Sequence, residues 1–194
     1  MSEEEFKADL HRYLKSARGA VLWKLEGLSE YDVRRPLVPT GNNLLGLVKH
    51  LAAMEFAYFG VTFGRPSPDE LPYDFEADPH SDWIAEARES RGFVIRLYEK
   101  AWAHSDATIE ALPLDAAGRV PHWPAGRDEV TLHRILIHML AETAQHRGHA
   151  DLVRELIDGS AGHRADSPGL AAEGPRAHRA FYDRVERTAR EAAG

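Results

Sequence analysis

The sequence predicts an all-α protein, a four-helix bundle with a short additional C-terminal helix. Three observations carry this. Apolar residues recur at steps of three and four over long segments, the spacing of a buried helix face. Stretches rich in Pro and Gly separate those segments. No run alternates as a strand does, and no internal repeat is present. Helices with one apolar stripe each bury it against one another as a bundle.

The first helix opens on Ser2 and Glu5, the Ser-x-x-Glu relation of a capping box. Its stripe runs Phe6, Leu10, Leu14, Ala17, Val21, Leu25 and Leu28, and Gly27 with Pro36 to Pro39 closes it. The second begins near Thr40 to Asn43, where several residues can cap it, and runs to about Gly60. Pro66, Pro68, Pro72 and Pro79 then forbid regular helix. The third is expected from Ser81 or Asp82, through Ile84, Ala87, Val94, Ile95, Tyr98 and Trp102, fading between His104 and Leu112. Residues 113–126 read as an ordered loop over the bundle end, because the Trp in His122-Trp123-Pro124 needs something to pack on. The fourth starts between Asp128 and Thr131 and stops at Gly159, a suitable C′ glycine. Residues 160–175 read as a linker, and 176–193 as a charged helix with Phe181, Tyr182 and Val185 on a small apolar face. The expected division is 1–160 as the bundle and 161–194 as linker and helical tail.

Composition narrows function by exclusion. The 194 residues suffice for one domain with a sizeable core. With no cysteine, disulfides, Cys-rich zinc sites and a Cys nucleophile are ruled out. The formal net charge of −7 argues against a nucleic-acid partner, which calls for basic clustering. The acidic start Met1-Ser2-Glu3-Glu4-Glu5 is the reverse of a signal peptide, and no apolar run is read as a membrane span. The expected setting is the cytoplasm, with no membrane partner.

The chemistry sits in the apolar seams. On the fourth helix the inward stripe reads Ile135, Met139, Glu142, His146, His149, Val153 and Leu156. Its ends are apolar, but its middle is Glu, His, His. A carboxylate in a seam needs a partner, since an unpaired buried charge is costly. Residues three and four apart share a face, so Glu142 and His146 can reach one ion, with His149 one turn further on. On the second helix, His50 interrupts the row Asn43, Leu47, Met54 and Ala57. Bundles build metal sites from inward polar residues on facing helices. A His/His/carboxylate set suits Zn²⁺, with Ni²⁺, Fe²⁺ or Mn²⁺ as alternatives, and three protein ligands leave a position open for substrate. The plainer alternative is a hydrogen-bonded core histidine at His50 and a local Glu142–His146 pair. His138 reads as a surface histidine beside the seam. His11, His80, His104, His122, His133, His163 and His178 read as solvated, with His122 the one whose loop could fold over the site. Trp102, Tyr98 and Phe59 read as core.

Two stretches carry a resemblance. Gly46-Leu47-Val48-Lys49-His50-Leu51 resembles the second-helix ligand motif of the DinB-like superfamily, a short motif and weak by itself. The stretch from His138 to Asp151, containing Glu142-Thr143-Ala144-Gln145-His146-Arg147-Gly148-His149, resembles its longer and more specific fourth-helix motif. Arg154-Glu155-Leu156-Ile157-Asp158-Gly159 fits the actinobacterial branch. The resemblance covers about residues 5–160. It implies a four-helix bundle with a three-ligand metal site, similar to metal-dependent thiol S-transferases that use bacillithiol or mycothiol and to mycothiol-dependent maleylpyruvate isomerase. Many members carry His-x-x-x-His on the fourth helix; Glu142-x-x-x-His146 follows the isomerase-like branch. The resemblance therefore selects His50, Glu142 and His146 as ligands, with His149 as the alternate. It also implies a small-molecule thiol, mycothiol-like, as cosubstrate with an electrophile, and a possible homodimer. Arg147, Trp123 and His122 are guesses for the rim of a thiol pocket. The competing functions are a non-catalytic metal-binding stress protein and a metal-dependent hydrolase.

Overall fold

A computed structural model describes residues 2–167 and 174–194. Among the described residues there are six α-helices: α1 Glu3–Trp23, α2 Glu30–Arg34, α3 Leu44–Glu55, α4 Arg91–Ala111, α5 Leu132–Asp158 and α6 Gly174–Ala193. Helices α1, α3, α4 and α5 form the bundle, with α1 against α5 and α3 against both α4 and α5. The fold is all-α, as the spacing of apolar residues predicts.

Local chemistry sets the helix ends. The Ser2–Glu5 capping box is formed at the start of α1. The side chain of Asn43 accepts from Gly46 N and opens α3, and Thr131 accepts from Arg134 N and opens α5. Gly159 ends α5 at φ 76°, the left-handed conformation that glycine adopts without a Cβ penalty. Beyond α3 the chain widens into one π turn, Phe56–Gly60, then a 3₁₀ turn, Val61–Phe63. Such an insertion re-aims the residues that follow it. Here Phe56, Tyr58 and Phe59 are all buried.

Five sequence expectations are corrected. The third helix starts not at Ser81 but at Arg91, capped by Ser90; Ile84 lies outside it and is exposed. The Ser90 hydroxyl accepts from Phe93 N and sets that start, whereas Ser81, Asp82 and Trp83 form turns. Residues 113–126, expected as loop, contain a strand. Strand β1 Ala117–Arg119 pairs antiparallel with β2 Glu129–Thr131, too short for alternation to show in the sequence. The stripe of α1 is cut short: the helix ends at Trp23, so Leu25 and Leu28 lie in the following turns, and Phe6 is exposed. Leu156 is exposed at the end of the α5 seam, where Val153 and the partly buried Ile157 face inward. Finally, the stretch Leu44–Phe63 is long and apolar enough to cross a membrane. It is the central segment of the bundle, with 83% of its apolar window buried.

Charged groups in the core are paired. Arg18 of α1 forks onto both oxygens of Glu55 at 2.7 Å each and reaches Asp106 at 2.7 Å. Arg154 of α5 holds Asp158 at 2.7 Å and donates to the carbonyls of Lys24 and Glu26, clasping the end of α1. Lys24 reaches Asp151 at 2.5 Å and the Gly162 carbonyl. No residue of α6 is buried, and its expected apolar face of Phe181, Tyr182 and Val185 is solvated. Of the expected linker, residues 168–173 lie outside the described residues.

Candidate metal centre

His50 lies near the middle of α3, where nearly every neighbour is buried. Glu142 and His146 lie one turn apart on α5. The packing of α3 on α5 brings Nε2 of His50 to 3.4 Å from Glu142 Oε1, and Nε2 of His146 to 3.0 Å from the same oxygen. Ligating atoms of the three residues all lie within 4.8 Å of one another. Both histidines are 7% exposed, and Glu142 is half-buried, so the trio forms a polar point at the edge of an apolar seam.

The donor set fits a divalent ion. Nδ1 of His50 donates to Asp82 Oδ2 at 2.7 Å. That bond holds a proton on Nδ1 and turns Nε2 towards Glu142, the arrangement by which a carboxylate orients a metal-binding histidine. The His146 Nε2 faces the same carboxylate oxygen. Without their Nε2 protons the two imidazoles and the carboxylate are all acceptors aimed at one point, and a cation can take the place of those protons. Burial opposes the charged form of His50, but hydrogen bonds to Asp82 and Glu142 outweigh it and raise its pKa. Hydrogen bonds from His146 and His50 hold the Glu142 carboxyl well below the usual carboxylate range, so it is anionic at neutral pH.

Asp82 and Trp83 were invisible as site residues in the sequence, because they lie in an irregular segment far from either motif. Asp82 is 2% exposed, and its second oxygen has no partner among the described residues. Trp83 stacks on His50, ring centroids 3.9 Å apart at 18°, and meets His146 edge-on at 5.4 Å. Three contacts hold this segment in place. Lys49, beside His50 on α3, donates to the Ile84 carbonyl and to Glu89, each at 2.9 Å. Arg34 of α2 donates to the carbonyls of Ala85 and Glu89. At Gly46 the Trp83 carbonyl approaches α3 so closely that a Cβ would collide with it. The glycine of the second-helix motif is thus what lets Asp82 and Trp83 reach His50.

His149 stands behind the trio: its Nδ1 is 3.4 Å from Nδ1 of His146, the nitrogen turned away from Glu142. His138, one turn before Glu142, is not a solvated surface residue. It packs edge-on against Tyr58 at 4.6 Å and Trp123 at 5.1 Å, and burial lowers its pKa. Trp123 Nε1 donates to the Tyr58 hydroxyl at 3.2 Å, and His122 Nε2 lies 3.3 Å from the same oxygen. The 113–131 segment therefore folds onto the π turn and builds an aromatic wall beside Glu142. Arg147, by contrast, bonds His163 in the segment after α5, not the wall.

Three further histidines expected in solvent are engaged. His11 contacts Asp106 at 2.7 Å, and His163 contacts Ser16 at 2.8 Å. His104 packs on Phe56 and against Gly60, where a Cβ would lie 2.8 Å from its ring. Their partners lie on other elements, beyond the reach of a local pattern.

The profile of the mycothiol-S-transferase (MST) family matches residues 9–159. The chain belongs to that family. The match spans α1 through α5, including every donor of the trio, and stops before α6. Membership in MST agrees with the DinB-like resemblance of the two motifs. No curated protein gives a significant match to the chain.

Proposed function

We propose that the protein binds one divalent ion, Zn²⁺ in the first instance, through His50, Glu142 and His146, and uses it to activate a mycothiol-type thiol for transfer to an electrophile. The observation that supports this most directly is the convergence of the three donors from two helices in a chain of the MST family. When bound, such an ion supplies Lewis acidity that lowers the pKa of a thiol and favours the thiolate, the reactive form.

The chain's own residues prepare the place. Asp82 keeps a His50 proton on Nδ1, so Nε2 is the nitrogen that would give up its proton to hold the ion. Glu142, held ionised by its two histidines, contributes the negative charge. Trp83 on one side and the Tyr58–Trp123–His138 wall on the other limit water around the trio, which strengthens electrostatic interactions there. The chain has no cysteine, so the sulfur comes from a small molecule. The functional unit in this reading is residues 1–160, with 161–194 accessory.

Metal analysis of the purified protein tests the reading. The expected result is about one divalent ion per chain, absent from the His50→Ala/His146→Ala double variant. Thiol conjugation to a bimane or an epoxide is expected with the loaded protein and not with His146→Ala. A protein that cannot be loaded with Zn²⁺ or Ni²⁺ overturns the proposal. Turnover without any added thiol points instead to hydrolysis.

A further inference from the structure

A cleft of ≈ 650 Å³ opens between the connection Pro36–Asn43 and the segment that carries Trp83, the residue that links it to the trio. We propose that this cleft binds the neutral, polyhydroxylated end of the thiol cosubstrate, the linked sugar and cyclitol rings of a mycothiol-type molecule, with the sulfur directed at His50, Glu142 and His146. The inference rests on the thiol reading above and adds where the non-reacting part of that thiol sits.

Position is the first argument. Trp83 lines the cleft and also stacks on the His50 ring, with centroids 3.9 Å apart. A ligand ring lying against Trp83 is separated from a trio imidazole by one aromatic side chain.

Chemistry is the second. The lining combines apolar surface, from Trp83, Ile84 and Pro36, with hydrogen-bonding groups, from Thr40, Asn42 and the imidazole of His80. Asn42 donates to the Thr40 hydroxyl at 3.2 Å, presetting a small hydrogen-bonding edge opposite the aromatic platform. The one guanidinium in the lining, Arg34, is committed to the backbone carbonyls of Ala85, Glu86 and Glu89. An aromatic face opposed by hydroxyl and amide groups suits a ring that carries C–H on its faces and O–H on its rim. It does not suit a phosphate or a carboxylate, which would call for uncommitted positive charge.

Size is the third. A bare thiol such as cysteine leaves most of this volume empty, whereas roughly 300–1,000 Å³ is the range of sites for larger ligands. A second large cleft, ≈ 680 Å³, is rimmed by Glu70, Asp74, Asp78, Glu86 and Glu89, with Lys49 and Arg88 as its cations. Its acidic rim favours cations, and no trio ring stacks on its walls.

Binding to the full-length, Zn²⁺-loaded protein tests the assignment by titration calorimetry with three probes. They are mycothiol, the fragment N-acetylglucosaminyl-inositol, which keeps both rings and the amide but lacks the cysteine, and N-acetylcysteine. Thr40→Trp and Ile84→Trp fill the cleft from opposite walls at exposed positions, so each controls for misfolding of the other. The expected result is that wild type binds the fragment, and that both substitutions lower the ratio of mycothiol to N-acetylcysteine affinity at least tenfold while Zn²⁺ affinity stays at the wild-type value. Mycothiol binding that neither substitution weakens, or a fragment that wild type does not bind, overturns the cleft assignment and leaves the thiol reading standing. If neither mycothiol nor N-acetylcysteine binds the loaded wild type, the thiol reading falls and the cleft assignment with it.

Discussion

A single carboxylate sets the state of the first proposed ligand. Asp82 accepts the Nδ1 proton of His50 at 2.7 Å and makes no other side-chain bond among the described residues. Outer carboxylates of this kind orient the imidazole and raise its basicity, and their loss commonly costs 10–100-fold in metal affinity. Asp82→Asn keeps the shape and removes the charge. It is expected to weaken Zn²⁺ binding by about that factor in a chelator-competition titration, with an unchanged far-UV circular dichroism spectrum. An unaltered affinity would show that Trp83 stacking and the α3 backbone alone orient His50.

At the scale of the element, the bundle is pinned by ion pairs as well as by apolar seams. Arg18 of α1 and Glu55 at the end of α3 are both fully buried and joined by two bonds of 2.7 Å. Burial opposes the Arg18 charge, but Glu55 and then Asp106 outweigh it and raise its pKa. Removing one member leaves the other charge without its partner in the core, which costs about 3–5 kcal/mol. Glu55→Ala is expected to lose that much in urea unfolding. An Arg18→Met/Glu55→Met double variant strands no fully buried charge, because Asp106 keeps His11 and Lys15, and is expected to lose clearly less. Equal losses would mean that the pair acts through shape alone. The π turn after Glu55 belongs to the same scale: it re-aims Tyr58, on which the 113–131 segment builds its aromatic wall.

For the whole molecule, charge pairing makes stability depend on pH. Burial tends to raise the Asp106 pKa, yet hydrogen bonds from Arg18 and His11 overcome this and lower it. The folded protein therefore keeps Asp106 ionised where the unfolded chain has protonated it. That contribution is fully present above the ordinary carboxylate value of about 3.9 and drains away as pH falls through the lower folded value. Asp158, beside Arg154, has a lowered pKa and adds in the same direction. The metal-free protein is thus expected to lose thermal stability on acidification from pH 5 to 3, and Asp106→Asn to flatten part of that fall. An identical slope in the variant would remove Asp106 from the account. Helix α6 buries no residue, and the MST match stops before it. A chain ending after Ser167 is accordingly expected to bind Zn²⁺ within about twofold of the full chain; a larger loss would give α6 a part in the site.

What the sequence determined by itself is what local periodicity encodes. Seam spacing of three and four marked the four bundle helices; Ser2 and Gly159 marked two of their ends, and the ranges Thr40 to Asn43 and Asp128 to Thr131 bracketed two more, whose caps are Asn43 and Thr131. The same spacing exposed the anomaly that matters, Glu142 and His146 in an otherwise apolar row and His50 in another, because a polar residue in a seam demands a partner. Only the tertiary structure decided what lies between those rows. Asp82, Trp83, Tyr58 and His138 join the site through irregular segments and a π turn, where no period exists to read. The false start of the third helix at Ser81 has the same origin: Ile84 and Ala87 fit a helical step, but Lys49 and Arg34, distant in sequence, hold their backbone in turns instead. Proximity across the bundle, rather than spacing along the chain, gives His50 its orienting carboxylate and separates His149, behind His146, from the three donors that converge.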